Sequence, residues 1–130
     1  MAMPKPISTK THGVIDYITA GTLMALPFTF GWSGRARGLA LGAGIATLGT
    51  SLMTNYELGA VRLLPMRAHL SIDGAQASAL MSAPKMITDE HPWRGRILAM
   101  IGAMESAVAA LTKMHSPEEI QENPRLALER

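Results

Sequence analysis

Two stretches of this chain, 57 residues apart, are copies of one another. His12-Gly-Val-Ile-Asp16-Tyr aligns with His69-Leu-Ser-Ile-Asp73-Gly, and the register continues through Ala20/Ala77, Leu23/Leu80, Met24/Met81 and Pro27/Pro84. Seven of 16 positions are identical, where about one is expected by chance in so alanine-rich a chain. A duplicated chain folds as two like units that bury a common face. The repeated positions 12, 16, 20, 23 and 27 are spaced 4, 4, 3 and 4, which is one face of an α-helix. A looser match pairs Trp32-Ser-Gly34-Arg35 with Trp93-Arg-Gly95-Arg96 at an offset of 61. It reads as four residues gained near Ile87–Glu90.

Charge placement supplies the rest of the architecture. No charged residue occurs from Tyr17 to Gly34 or from Gly38 to Tyr56, and Ile97–Thr112 carries only Glu105. A membrane-spanning helix needs roughly 20 predominantly apolar residues, with about 17 as the short limit. The reading is therefore an all-α protein of four transmembrane helices, near 12–30, 38–54, 69–84 and 95–113. They form two tandem helical hairpins related by a pseudo-two-fold axis. The 130 residues make one membrane domain, with repeat 1 over about 11–55, repeat 2 over about 68–114 and a polar tail over 115–130. Basic residues divide almost evenly between the two sides, so the positive-inside rule leaves orientation open. The start carries no secretory signal pattern. A bacterial inner membrane is the expected location and the lipid bilayer the expected partner.

Composition removes several functions. With no cysteine, thiolate metal sites, disulfides and cysteine nucleophiles are excluded, so any site is built from His and carboxylates. A net charge of +2 with no basic run interleaved with aromatics is no nucleic-acid footprint. No phosphate loop, nucleophile elbow or zinc-protease motif occurs, and nothing points to an enzyme.

The His-x-x-x-Asp opening, the late Pro at Leu26-Pro27-Phe28 and Ala83-Pro84-Lys85, and the glycine-rich second helix resemble the SPW-repeat family of small bacterial integral-membrane proteins. The resemblance covers about residues 11–113. Of the Ser-Pro-Trp signature only Pro27 and Pro84 match. It implies a four-helix membrane protein and brings no reaction or ligand with it.

Within this frame His12/Asp16 and His69/Asp73 are the candidate site. At i and i+4 each carboxylate can accept from its imidazole. Two such pairs can ligate a metal, sandwich a haem or relay protons. The structural alternatives are closure of the helix starts against the helix dipole and hydrogen bonding across the repeat interface. Glu105 is an intramembrane acid with Gln76 or Thr47 as possible partners. Gly38, Gly42 and Gly49 form a helix-packing surface, within one chain or between copies. Pro27 and Pro84 end or kink their helices. Trp32, Tyr56 and Trp93 are read as interfacial anchors. Ser116-Pro117-Glu118-Glu119 starts a short tail helix with a capping box. The leading functional expectation is a non-enzymatic structural or accessory membrane subunit, alone, as a homo-oligomer or in a larger complex. The alternatives are a redox or ion-handling protein using the paired His and Asp, and a soluble four-helix bundle.

Overall fold

A computed structural model describes residues 3–88 and 91–129. Its elements are α1 (Thr9–Thr29), α2 (Gly34–Met53), α3 (Met66–Met81), the single turn α4 (Ala83–Met86), α5 (Pro92–Leu111), α6 (Pro117–Glu122) and a 3-10 turn, Pro124–Leu128. The four long helices are those expected, each starting three or four residues earlier. Ser8 caps α1 by accepting from the Thr11 amide. The turn into α2 uses Gly31 and Gly34 at φ near +60°, where a side chain would be strained. Arg35 and Arg37 then lie within the first turn of α2 instead of ahead of it.

α1 packs along α2, and α3 along α5, so each repeat is a hairpin. The crossings are close, and the residues that allow it are equivalent. A Cβ on Gly44 would lie 3.0 Å from the Ala20 carbonyl oxygen and 3.2 Å from Leu23 Cβ; one on Gly102 would lie 2.7 Å from the Ala77 carbonyl and 2.9 Å from Leu80 Cβ. The glycines are 58 apart and their partners 57. The second hairpin has therefore gained one residue, not four. The Trp32 and Trp93 match at offset 61 is not a structural equivalence, although the two rings meet edge-on at 5.8 Å. The segment assigned to the insertion runs into residues 89 and 90, which lie outside the described residues.

Several sequence expectations are corrected. Gly38, Gly42 and Gly49 do not pack helices within the chain: a Cβ on any of them would meet nothing within 4 Å. Trp32 and Tyr56 are buried, so neither is a boundary anchor, whereas Trp93 is exposed. Pro27 lies inside α1, near its end. Pro84 stands beyond α3, in the first turn of α4, after the chain breaks at Ser82. Among the described residues, no helix is long and apolar enough to cross a membrane. α3 has only 16 residues, and buried polar side chains interrupt every long helix.

The interior is layered along the bundle. At one end Leu23, Trp32, Ala36, Ala40, Leu80 and Leu98 form the apolar core. Next come Thr19, Thr47, Gln76 and Glu105, in which Gln76 Nε2 donates to Thr47 Oγ1 at 2.6 Å. The four repeated His and Asp side chains fill the far end. The outer surface carries large apolar side chains, with Ile18, Phe28, Ile45 and Met100 all more than 60% exposed.

Candidate metal centre

His12 and Asp16 sit one turn apart on the inner face of α1, and His69 and Asp73 do the same on α3. The duplication brings the pairs face to face. His12 Nε2 lies 2.9 Å from Asp73 Oδ2 and His69 Nε2 lies 2.8 Å from Asp16 Oδ2. The contacts within each helix are longer, at 3.2 and 3.1 Å. The two Nε2 atoms are 3.2 Å apart. The primary pairing therefore crosses between the repeats. All four side chains are buried, and one ligand atom from each falls within 4.8 Å of the others.

The outer ring nitrogens decide what the inner ones can do. His12 Nδ1 is 2.8 Å from Thr112 Oγ1, and His69 Nδ1 is 2.7 Å from Thr54 Oγ1. Each hydroxyl already donates to the carbonyl one turn earlier, Thr112 to Val108 and Thr54 to Thr50. A hydroxyl has a single proton, so each threonine oxygen accepts from Nδ1–H. In the neutral imidazole that leaves a bare lone pair on each Nε2, pointing at the other and at two carboxylate oxygens. Four acceptors at this spacing need positive charge among them. Protons on both Nε2 atoms supply it, and so does one cation.

The protonation balance follows from the same contacts. Burial alone would lower the pKa of His12 and of His69. The hydrogen bonds and charges of Asp16 and Asp73 outweigh it and push both up to about 9. Burial raises the Asp73 carboxyl, but its hydrogen bonds from His12 and His69 prevail and hold it below its ordinary value. Without an ion, both histidines hold their Nε2 protons at neutral pH and turn them to the facing carboxylates.

The set also fits a metal. A tetrahedral ion with ligands at 2.0–2.1 Å separates them by about 3.3 Å; the Nε2–Nε2 and the four His–Asp contacts are 2.8–3.2 Å, and all four ligand atoms lie within 4.8 Å of one another. Imidazole and carboxylate ligands whose Nδ1–H groups are held by an outer partner are what zinc sites use. A haem between the histidines is excluded, since the nitrogens are too close for a porphyrin and the carboxylates occupy the gap.

Thr54, Thr112 and Ser51, which donates to Asp16 Oδ2 at 3.1 Å, belong to the centre although the sequence motif omits them. Thr54 and Thr112 are repeat counterparts, the C-caps of α2 and α5. Glu105 lies outside the ligand set. Burial, aided by the charges of Asp73 and Asp16 and opposed by a bond from Gln76, pushes its carboxyl up to about 7, and its Oε2 has no hydrogen-bond partner. Pro27, Pro84, Gly38, Gly42 and Gly49 take no part.

The neighbouring segments hold the ends of these helices. Ile7 pairs with Thr112, and Leu64 with Thr54, by isolated backbone bridges. Glu119 in α6 accepts from the Ser116 amide and from the Met66 amide at the start of α3. The tail thus supplies the cap that Pro65 cannot. The class defined is an α-helical bundle with internal two-fold symmetry and a buried His2Asp2 centre. No protein-family description, curated protein or solved structure matches the chain.

Proposed function

We propose that the protein binds one divalent transition-metal ion, with zinc the best match, through His12, Asp16, His69 and Asp73. The observation that carries this reading is the pair of threonine-fixed tautomers, which turn both Nε2 lone pairs onto two carboxylates in a buried space. The set is closed, with four protein ligands and no open position, which favours an ion-holding or structural role over catalysis. The ion takes the place of the two Nε2 protons. An imidazolium pair with +2 charge becomes a dication with two neutral rings, so the buried charge is unchanged by the exchange.

Purified full-length protein should bind one equivalent of Zn2+. With Co2+ it should give the intense visible bands of a tetrahedral site, and both signals should vanish in His12→Ala/His69→Ala. Substoichiometric binding by the wild type, or full binding by a folded double variant, would remove the proposal.

A second reading, favoured by the polar side chains buried at one end of the bundle and the large apolar ones exposed outside, sets the bundle against lipid as an accessory membrane subunit, as the SPW-repeat resemblance implies. A metal ion joining the hairpins from within is compatible with it. Retention in the pellet after carbonate washing, with release by detergent, is the expected result; release by carbonate alone supports the soluble bundle instead.

A further inference from the structure

The two halves of the bundle are built alike, so a group present around one carboxylate and missing around the other stands out. α2 and α5 correspond at an offset of 58, which pairs Gly44 with Gly102 and Thr54 with Thr112. On the same register the counterpart of Ser51 is Ala109. Ser51 Oγ donates to Asp16 Oδ2 at 3.1 Å, whereas a methyl group offers Asp73 nothing. Among the described residues, Asp73 takes its hydrogen bonds from His12 and His69 only. The acid nearby, Glu105, is bonded by Gln76 instead.

This difference matters once an ion is bound. With the ion on both Nε2 atoms, neither ring has a proton left to turn toward a carboxylate. Three of the four ligands then keep an outer partner: Thr112 holds His12, Thr54 holds His69 and Ser51 holds Asp16. Asp73 keeps the ion alone. Outer partners fix ligand orientation and are worth about 10–100-fold in affinity, so Asp73 is the least constrained of the set.

The surroundings differ in the same direction. Gly13, Ser51 and Tyr56, on the Asp16 side, are buried, and Tyr56 lies so close to Gly13 that any Cβ there would collide with its ring. Their counterparts Leu70, Ala109 and Met114 are each half-buried, and with Gly74 they line one shallow surface groove beside α3 and α5. The cover on the Asp16 side is wholly internal; that on the Asp73 side reaches solvent.

We propose that Asp73 is the ligand that lets go, and that the ion enters and leaves past it on the α3–α5 side while Asp16 and both histidines stay in place. The inference rests on the metal reading and extends it, because it makes the centre exchangeable without unfolding of the bundle.

The test is the rate at which full-length protein, loaded with one equivalent of zinc, releases it to excess chromophoric chelator, together with the rate of uptake. Ala109→Ser gives Asp73 the hydroxyl that Asp16 has. Release should slow by about tenfold or more, with uptake and helix content unchanged. Gly74→Leu sets a side chain into open space beside Asp73; uptake and release should slow by one common factor, leaving affinity the same. Tyr17→Ala uncovers the opposite half and should change neither rate. Full zinc uptake with release unchanged in folded Ala109→Ser, or faster exchange in Tyr17→Ala, would overturn the inference and leave the metal reading standing. No zinc uptake by the wild type would overturn both.

Discussion

At the scale of single residues, the two threonines that end the second helix of each repeat determine the chemistry of the centre. Replacing Thr54 or Thr112 with Val keeps the shape and removes the acceptor that holds Nδ1–H. Such outer partners are worth about 10–100-fold in metal affinity. Each single variant should therefore bind zinc about 10–100-fold more weakly with little change in helix content, as read by competition with a chromophoric chelator. Both halves should respond alike, because the threonines are symmetry counterparts. The His-x-x-x-Asp pairs were plain in the sequence, since two copies of a rare pair at one offset stand out. The threonines were not, because a helix-end Thr bonded to its own backbone is common, and only the approach of the other repeat gives its oxygen a second task.

At the scale of helices, the glycines divide into two groups with opposite responses. Gly102→Ala brings a Cβ to 2.7 Å from the Ala77 carbonyl and 2.9 Å from Leu80 Cβ, and a backbone neighbour cannot yield cheaply. It should destabilise by about 1–3 kcal/mol, and Gly44→Ala, its counterpart, should act in the same direction. Gly42→Ala meets open space and should be neutral, or stabilising by up to about 1 kcal/mol from helix propensity. Denaturant midpoints separate the two groups; equal effects at Gly42 and Gly102 would contradict the packing described. The Gly-x-x-x-Gly spacing at Gly38 and Gly42 does not mark the contact within the chain, because spacing on one helix does not say which face meets a neighbour. Helix number and order were legible from charge-free runs and repeat spacing. Charge-free runs place the starts of α2 and α5 late, because they leave Arg35, Arg37 and Arg94 outside although an arginine is a good helix former; the repeat match places those of α1 and α3 late, because it begins at His12 and His69.

At the scale of the whole molecule, stability should depend on pH and on metal in opposite senses. Without metal, the folded pKa of about 9 for His12 and His69 lies above the ordinary 6.5. Their contribution is complete below pH 6.5 and is lost as pH rises through 9. Asp73, held below its ordinary 3.8, contributes above that value, and its contribution is lost as pH falls below it. Glu105, raised from 4.5 to about 7, contributes in the same sense as the histidines, and its contribution is lost between those values. The metal-free protein should therefore be most stable near pH 4–4.5 and lose stability progressively up to pH 9, measured as melting temperature in a chelator. Metal binding displaces protons, so the apparent zinc affinity should rise over the same range, by up to about a hundredfold per pH unit for two protons. At neutral pH, zinc at about 100 times its Kd should add about 2.7 kcal/mol, reversed by chelation. A metal-free protein that grows more stable from pH 6.5 to 9 would show that the imidazolium–carboxylate pairs do not form.

The sequence by itself determined that this chain is a tandem of two helical hairpins, that His12, Asp16, His69 and Asp73 share an inner face, and that no thiolate takes part. Those conclusions rest on periodicity and duplication, which are properties of the chain alone. Only the tertiary structure decided that the pairs bond across the repeats, that threonines turn both lone pairs inward, and that Gly44 and Gly102 are the contact glycines. Each of these depends on which residues distant in sequence approach within about 3 Å, and that is settled by how two hairpins dock.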